Sequence, residues 1–321
     1  MNRRTDTGAG YQPAPFHQLP RDPLPAATAF FGRAEDGVRL RMALWRPAGP
    51  ARGTVLLFPG RTEYLEKYAP VAGRLTDRGL AVLAIDWRGQ GMSDRLLADP
   101  RPGHVTDFAA YQGDVVEMVV AAQSLDLPRP WNLLAHSMGG CIGLAALIGG
   151  LPVRSAAFSA PMWGLDHPLL PAAVISGMAG TAHRLGRADR AAVGTGGGGT
   201  YLLDAAFTGN ALTSNHLQWA RLVAEAGSWP HLTLGGATYA WVGAAMAEIR
   251  RLALLASPEL PALIGVGALE KVVSRRAIHA RAGRWPQANL LDLPDARHEL
   301  MFETPETADR FLDSALALFL G

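Results

Sequence analysis

The sequence predicts an α/β protein: a mostly parallel central sheet with helices on both faces, and a mainly helical insertion late in the chain. Three observations carry this. Short apolar runs alternate with helical patterns from residue 54 onward, the rhythm of a parallel sheet. Those runs are apolar throughout instead of alternating with polar residues, as strands buried on both faces are. The rhythm stops at Pro161 and resumes near Ala262, so a separate element is inserted between two parts of one core.

The elements follow in order. Pro13, Pro15, Pro20, Pro23 and Pro25 make residues 1–26 an extended N-terminal arm. Ala27 to Arg33 and Val38 to Trp45 flank Glu35-Asp36-Gly37 and read as a hairpin. Thr54 to Phe58 is a buried strand, followed by a helical pattern from Glu63 to Arg78 that Gly79 ends. Leu80 to Ile85 is the next strand, and Asp107 to Gln123 the next helix. Trp131 to His136 is a strand, Cys141 to Ile148 lies in a helix of small residues, and Val153 to Ser159 is again a strand. The core is therefore expected over 27–160 and 256–321, closing with strands at Ala262 to Gly267 and Asn289 to Leu293 and a helix from Pro305 to Leu320. Residues 161–255 form the cap or lid. Within it, Gly194 to Gly199 matches a nucleotide-loop spacing, but no strand and helix frame it, so it reads as a loop.

Composition removes several function classes. The 30 basic and 28 acidic residues leave a net charge of +2. All but Lys67 and Lys271 of the basic residues are arginines, scattered and without an aromatic-interleaved run, which argues against nucleic acid as a partner. Cys141 is the single cysteine, so neither a disulfide within the chain nor a cysteine metal cluster can form. The N-terminus lacks the apolar core of a secretory signal. Pro130 to Val153 carries no Asp, Glu, Lys or Arg, but His136, Ser137 and several glycines interrupt it, so it reads as strand, turn and helix inside a core. The expectation is a cytoplasmic protein, peripheral to the membrane at most.

The chemistry centres on Ser137. An apolar strand precedes it, a small-residue helix follows, and Ala135 and Gly139 stand two places to either side. A sharp strand–Ser–helix turn that exposes the hydroxyl demands this pattern. Serine is a weak nucleophile and needs a base, which in turn needs an orienting acid. His298, in the loop after the last strand, is the candidate base. Glu270, in the loop after the Ala262 to Gly267 strand, is the candidate acid, with Asp166 as the alternative. His136 adjoins Ser137, but the sharp turn should point its ring elsewhere. Asp86, at a strand end ahead of Ser137, reads as a residue that holds its own loop. Acyl chemistry also needs donors for an oxyanion. The backbone N–H groups of Met138 and of Arg61, in Pro59-Gly60-Arg61-Thr62-Glu63, are the candidates.

These segments resemble a known family. Pro59-Gly60-Arg61-Thr62-Glu63-Tyr64 with Lys67-Tyr68, Asp86-Trp87-Arg88-Gly89-Gln90-Gly91-Met92-Ser93, His136-Ser137-Met138-Gly139-Gly140 and Arg297-His298-Glu299 are similar to the lysophospholipase and monoacylglycerol lipase branch of the α/β-hydrolases, also described as serine aminopeptidase-like. Leu212-Thr213-Ser214 and Gly235-Gly236-Ala237-Thr238 with Trp241 extend the match into the cap. The resemblance implies a Ser–acid–His triad, a cap over an acyl pocket and no cofactor. The chain departs from the family pattern in having Pro59 where the family has His, Ala135 where it has Gly, and Glu270 where it has Asp.

The expectation is a serine hydrolase that cleaves the carboxylic ester of a single-acyl-chain lipid, a lysophospholipid or monoacylglycerol, through an acyl-enzyme. Peptide hydrolysis or acyl transfer on the same fold, or a non-catalytic binding protein, are the rivals. Arg61 is expected near the pocket mouth, either meeting a phosphate or carboxylate, solvated, or paired with Glu63. The uncharged stretch Pro168 to Gly180 is expected either to form an apolar entrance that touches a membrane surface or to pack as the cap's own core.

Overall fold

The computed structural model describes residues 10–20, 22–25, 27–165, 172–195 and 199–321. A nine-stranded sheet runs through the molecule. Strands β1 (Gln12–Pro13), β2 (Thr28–Arg33) and β3 (Arg39–Trp45) pair antiparallel at one edge. Strand β5 (Ala81–Asp86) is antiparallel to β3. From there β4 (Thr54–Phe58), β6 (Trp131–His136), β7 (Ala156–Ser159), β8 (Ala262–Gly267) and β9 (Ala288–Leu293) follow in parallel. The order is β1-β2-β3-β5-β4-β6-β7-β8-β9.

Alternate strand residues feed opposite layers, as a period of two dictates. Leu56, Phe58, Leu83, Ile85 and Leu133 pack with Met118 of α2 (Ala110–Ser124), Ile142 of α3 (Met138–Ile148) and Ile278 of α8 (Arg275–Ala282). Val55, Leu57, Val82, Ala84 and Leu134 pack with Val71 of α1 (Ala69–Asp77) and Phe311 of α9 (Pro305–Leu320). The helical pattern expected over Glu63 to Arg78 is broken. A 3₁₀ turn covers Leu65–Tyr68, and α1 starts only at Ala69. Pro70 is the cause: it has no N–H for the Glu66 carbonyl, and its ring collides with that carbonyl in a continuous helix.

Between β7 and β8 the chain forms α4 (Ala172–Arg184), α5 (Tyr201–Asp204), α6 (His216–Ser228) and α7 (Tyr239–Leu254). Asn215 and Thr238 cap α6 and α7 with their side chains. No strand longer than an isolated bridge occurs there among the described residues. The N-terminal arm adds β1 to the sheet edge, an addition its sequence does not announce, and Phe16 packs edge-on against Trp45.

Candidate active site

The loops after β4, β6, β8 and β9 all emerge at the carboxyl edge of the parallel sheet, where ligands bind in open α/β folds. Ser137 stands between β6 and α3 with φ 50° and ψ −117°, backbone angles that cost a non-glycine residue energy and persist only when the surroundings enforce them. Here the Ser137 N–H donates to Ser159 O at 3.1 Å, and Ser137 O accepts from Met162 N at 2.9 Å. Gly139 is required beside it: a Cβ there would lie 2.1 Å from Phe58 O.

His298 Nε2 lies 2.9 Å from Ser137 Oγ, and His298 Nδ1 lies 2.7 Å from Glu270 Oε2. The three residues are 8%, 3% and 9% exposed for Ser137, His298 and Glu270. The other carboxylate oxygen of Glu270 accepts from Val272 N at 2.6 Å and Val273 N at 3.1 Å. Burial pushes this carboxyl up, but the His298 imidazole and those two N–H groups outweigh it and hold the group below its ordinary value. The loops carrying acid and imidazole touch directly. Leu269 N donates to Ala296 O, and a Cβ on Gly267 would sit 2.2 Å from that same oxygen. Serine, imidazole and carboxylate thus form one hydrogen-bonded line. Asp166 lies outside the described residues.

The Arg61 and Met138 backbone N–H groups have no acceptor among the described residues. The loop that carries Arg61 is stapled from β5's end. Trp87 Nε1 donates to Pro59 O at 2.9 Å, Gln90 Nε2 donates to Gly60 O at 3.0 Å, and Gln90 Oε1 accepts from Thr62 N at 3.1 Å. Thr62 is held at φ 66°. Asp86 steadies the staple: it accepts from Met92 N and Leu65 N and pairs with Arg41 at 2.7 Å. Its partner is thus Arg41 of β3, while Arg88 pairs with Asp114 and Asp36.

A buried charge cluster lies under the imidazole, and no motif in the sequence points to it as a unit. Lys67 Nζ bonds Glu63 and, at 2.7 Å, Glu299. His136 turns away from Ser137, as expected of the sharp turn. Its Nδ1 contacts Ser159 O at 3.0 Å, its Nε2 lies 3.4 Å from Glu299 Oε2, and its ring centroid is 4.8 Å from that of His298. Burial disfavours every charge here, yet Lys67 and His136 pull the Glu299 carboxyl well down and the two glutamates raise His136. Glu63, His136 and Glu299 are close enough together to hold a metal ion, but the Lys67 ammonium already bridges the two carboxylates. The i,i+4 spacing of Glu63 and Lys67 and the position of Glu299 next to His298 are the only local signals of the cluster.

Ser137 and His298 open into a cavity of about 640 Å³ walled mostly by apolar side chains, among them Met162, Ile175, Met178, Leu212, Leu234 and Trp241. The cap segment 211–215 braces the imidazole loop: Leu212 O accepts from Glu299 N at 2.8 Å, and Ser214 bonds Glu303. Arg61 also lines the cavity. It is partly exposed and is not paired with Glu63. Its guanidinium lies over Trp241 and donates to Gly235 O at 3.0 Å.

The serine aminopeptidase S33 family matches residues 49–305. The chain is 34% identical over 282 residues to lysophospholipase L2 of Escherichia coli K12, covering 84% of this chain and 80% of that protein. It is 29% identical over 277 residues to the probable lysophospholipase L2 of Haemophilus influenzae, covering 84% and 85%. A soluble variant of monoglyceride lipase from Saccharomyces cerevisiae superposes with a TM-score of 0.71 at 17% identity, over 95% of this chain and 99% of that one, which establishes the shared fold. With most of its length matched and a serine–imidazole–carboxylate line at the sheet's carboxyl edge, the chain belongs to the serine aminopeptidase S33 family, in the lysophospholipase and monoacylglycerol lipase branch of the α/β-hydrolases, and is a serine ester hydrolase.

Proposed function

We propose that this protein hydrolyses the carboxylic ester of a single-acyl-chain lipid, a lysophospholipid or a monoacylglycerol, through an acyl-enzyme on Ser137. The observation that carries the reading is the continuous Glu270–His298–Ser137 hydrogen-bonded line opening into a mostly apolar cavity. In this mechanism Ser137 Oγ attacks the ester carbonyl while His298 Nε2 takes its proton, and Glu270 steadies the imidazolium that forms. The Arg61 and Met138 N–H groups hold the oxyanion. The proton then passes from His298 to the leaving glycerol oxygen. Water, deprotonated by the same imidazole, releases the fatty acid. The L2 relatives named as lysophospholipases support the substrate class.

An aminopeptidase would need a carboxylate for the substrate's free amine. Of the carboxylates lining the cavity, Glu63 and Glu299 are tied to Lys67, and Asp204 stands at its exposed wall. Ester hydrolysis is therefore the better fit. The proposal includes contact between the cap and a lipid surface. In α4, Ile175 and Met178 face the cavity while Val174 is exposed, and Leu185 and Val193 are exposed beyond it. Pro168 to Pro171 of the uncharged stretch lie outside the described residues.

The test is a panel of lysophospholipids, monoacylglycerols and aminoacyl amides with purified protein, together with labelling by a fluorophosphonate probe. The expected result is turnover of the lipid esters and labelling at Ser137, both lost in Ser137→Ala, with a fall in kcat of several orders of magnitude. Turnover confined to the amides, or labelling that survives the substitution, rejects the reading.

A further inference from the structure

The guanidinium of Arg61 is a cation that the protein does not neutralise. Buried charges are ordinarily paired, and several in this core are: Arg41 with Asp86 and Glu66, Arg88 with Asp114, Lys67 with Glu63 and Glu299. Arg281, also without a carboxylate, spends its guanidinium on Leu252 O, Leu255 O and Ser257 Oγ. Arg61 has no carboxylate partner among the described residues. Its Nη2 uses one backbone carbonyl, Gly235 O, and its Nε is buried without any acceptor. Among the described residues Nη1 makes no hydrogen bond, and it is not one of the enclosed polar atoms. The group lies over the Trp241 ring, with its centre 5.1 Å from the centroid, and against Gly103, where a Cβ would come within 2.9 Å of Nη2. It is thus held in one place by both core and cap. Burial with no carboxylate to offset it pushes this arginine down to about 10, so it stays charged at neutral pH.

We infer that the Arg61 guanidinium binds the phosphodiester of a substrate's head group, making this site selective for lysophospholipids over neutral monoacylglycerols. This rests on the ester-hydrolase reading above and narrows it. Arginine suits the task because its planar fork matches phosphate oxygens. The reach also fits. In a 1-acyl lysophospholipid the path from the ester carbonyl carbon to phosphorus crosses as many bonds as the path from an arginine's backbone nitrogen to its guanidinium carbon. If the Arg61 N–H holds the carbonyl oxygen, its own side chain extends over the distance at which the phosphate lies. The Trp241 ring covers one side of the guanidinium, and a partly desolvated site strengthens the charge interaction.

The experiment measures kcat/KM for a lysophosphatidylcholine and for a monoacylglycerol of the same acyl chain, in wild type, Arg61→Lys and Arg61→Gln. It also measures inhibition of monoacylglycerol turnover by glycerophosphocholine and by inorganic phosphate. Because Arg61 also supplies a backbone donor, both substrates are free to lose rate; the readout is their ratio. Arg61→Gln is expected to lower the lysophospholipid-to-monoacylglycerol ratio by about tenfold to a hundredfold, the worth of a hydrogen bond to a charged group. Arg61→Lys should restore part of it. Glycerophosphocholine should inhibit the wild type more than Arg61→Gln, and more than phosphate does, because it carries the glycerol bridge. An unchanged ratio with equal inhibition of both proteins overturns the inference and leaves Arg61 a latch between core and cap. Stronger inhibition by phosphate than by glycerophosphocholine overturns it in favour of a free-anion site. Absence of turnover on either ester in the wild type is a different outcome, and overturns the function from which the inference starts.

Discussion

The core and the cap solve opposite problems. In the core, every strand that bears a site loop is hydrogen-bonded to its neighbours in register, and several buried ions occur in matched groups, such as Arg41 between Asp86 and Glu66. The cap is a set of helices that leaves Val193 74% and Leu217 78% exposed. It meets the core through apolar packing of Trp241, Ala245, Ile249 and Leu252 and through polar ties, among them Gly235 N to Arg101 O, Thr238 N to Gly103 O and Tyr64 Oη to Glu225. Each layer therefore carries a different part of the function. Atoms that must meet within hydrogen-bond distance are carried on a sheet that sets their spacing. The helices between β7 and β8 supply much of the apolar wall of the cavity.

The largest effect is expected in the core, where spacing matters most. Glu270→Gln should cut kcat by about 10⁴ while the fold survives, because the imidazolium loses its charged partner and its tautomer is no longer set. Asp166→Asn should change turnover far less. Steady-state kinetics on both variants, with circular dichroism as the folding check, decide the matter. The reverse ranking would move the acid to the loop after β7.

A smaller effect is expected at the cluster beneath. Lys67→Met removes the cation between Glu63 and Glu299 and should destabilise the protein by about 3–5 kcal/mol, the loss typical of one partner taken from a buried ion group. The pH dependence has a definite sign. Glu299's carboxyl is held well below its ordinary value in the folded protein, so it contributes stability above the unfolded carboxylate pKa. That contribution is lost as pH falls through the lower folded value. Without Lys67 the folded value rises, and acid unfolding should begin at a higher pH than in the wild type. Urea titrations over the acid range, from about pH 3 to neutrality, measure this. Equal acid midpoints would mean the cluster is held by something other than the ammonium.

The smallest effect belongs to the cap. Val174→Gln with Leu185→Gln should lower liposome flotation a few-fold and leave thermal stability within about 0.5 kcal/mol, as surface changes do. Turnover of a short soluble ester should be kept. Unchanged flotation would remove these side chains from the membrane contact.

Much of this architecture is legible in the residues themselves. The central parallel strands announce themselves because burial on both faces leaves few polar positions, so Thr54–Phe58 and Ala262–Gly267 appear as runs. The start of the terminal helix is marked by its own chemistry, Pro305 in the first turn. Ser137 is visible because a sharp turn tolerates only small neighbours, a local steric demand written in adjacent residues. Local signals mislead in two places. The helix expected from Glu63 is interrupted because Pro70 outweighs the helical pattern around it, and the short β1 exists only because the β2 edge is there to pair with it.

Burial periodicity and turn sterics act over a few residues, so the chain's own order of residues is enough to specify the layered α/β architecture, the turn around Ser137 and the candidacy of His298 and Glu270. Folding adds what no neighbouring residues encode. It brings His298 and Glu270 to 2.7 Å, gathers Glu63, Lys67, His136 and Glu299 into one buried site, and leaves Arg61 without a carboxylate partner among the described residues. These are relations between residues tens to more than two hundred positions apart. The charge a buried group feels depends on which loops the sheet brings together, and that distance is set by the packed molecule, not by any local pattern.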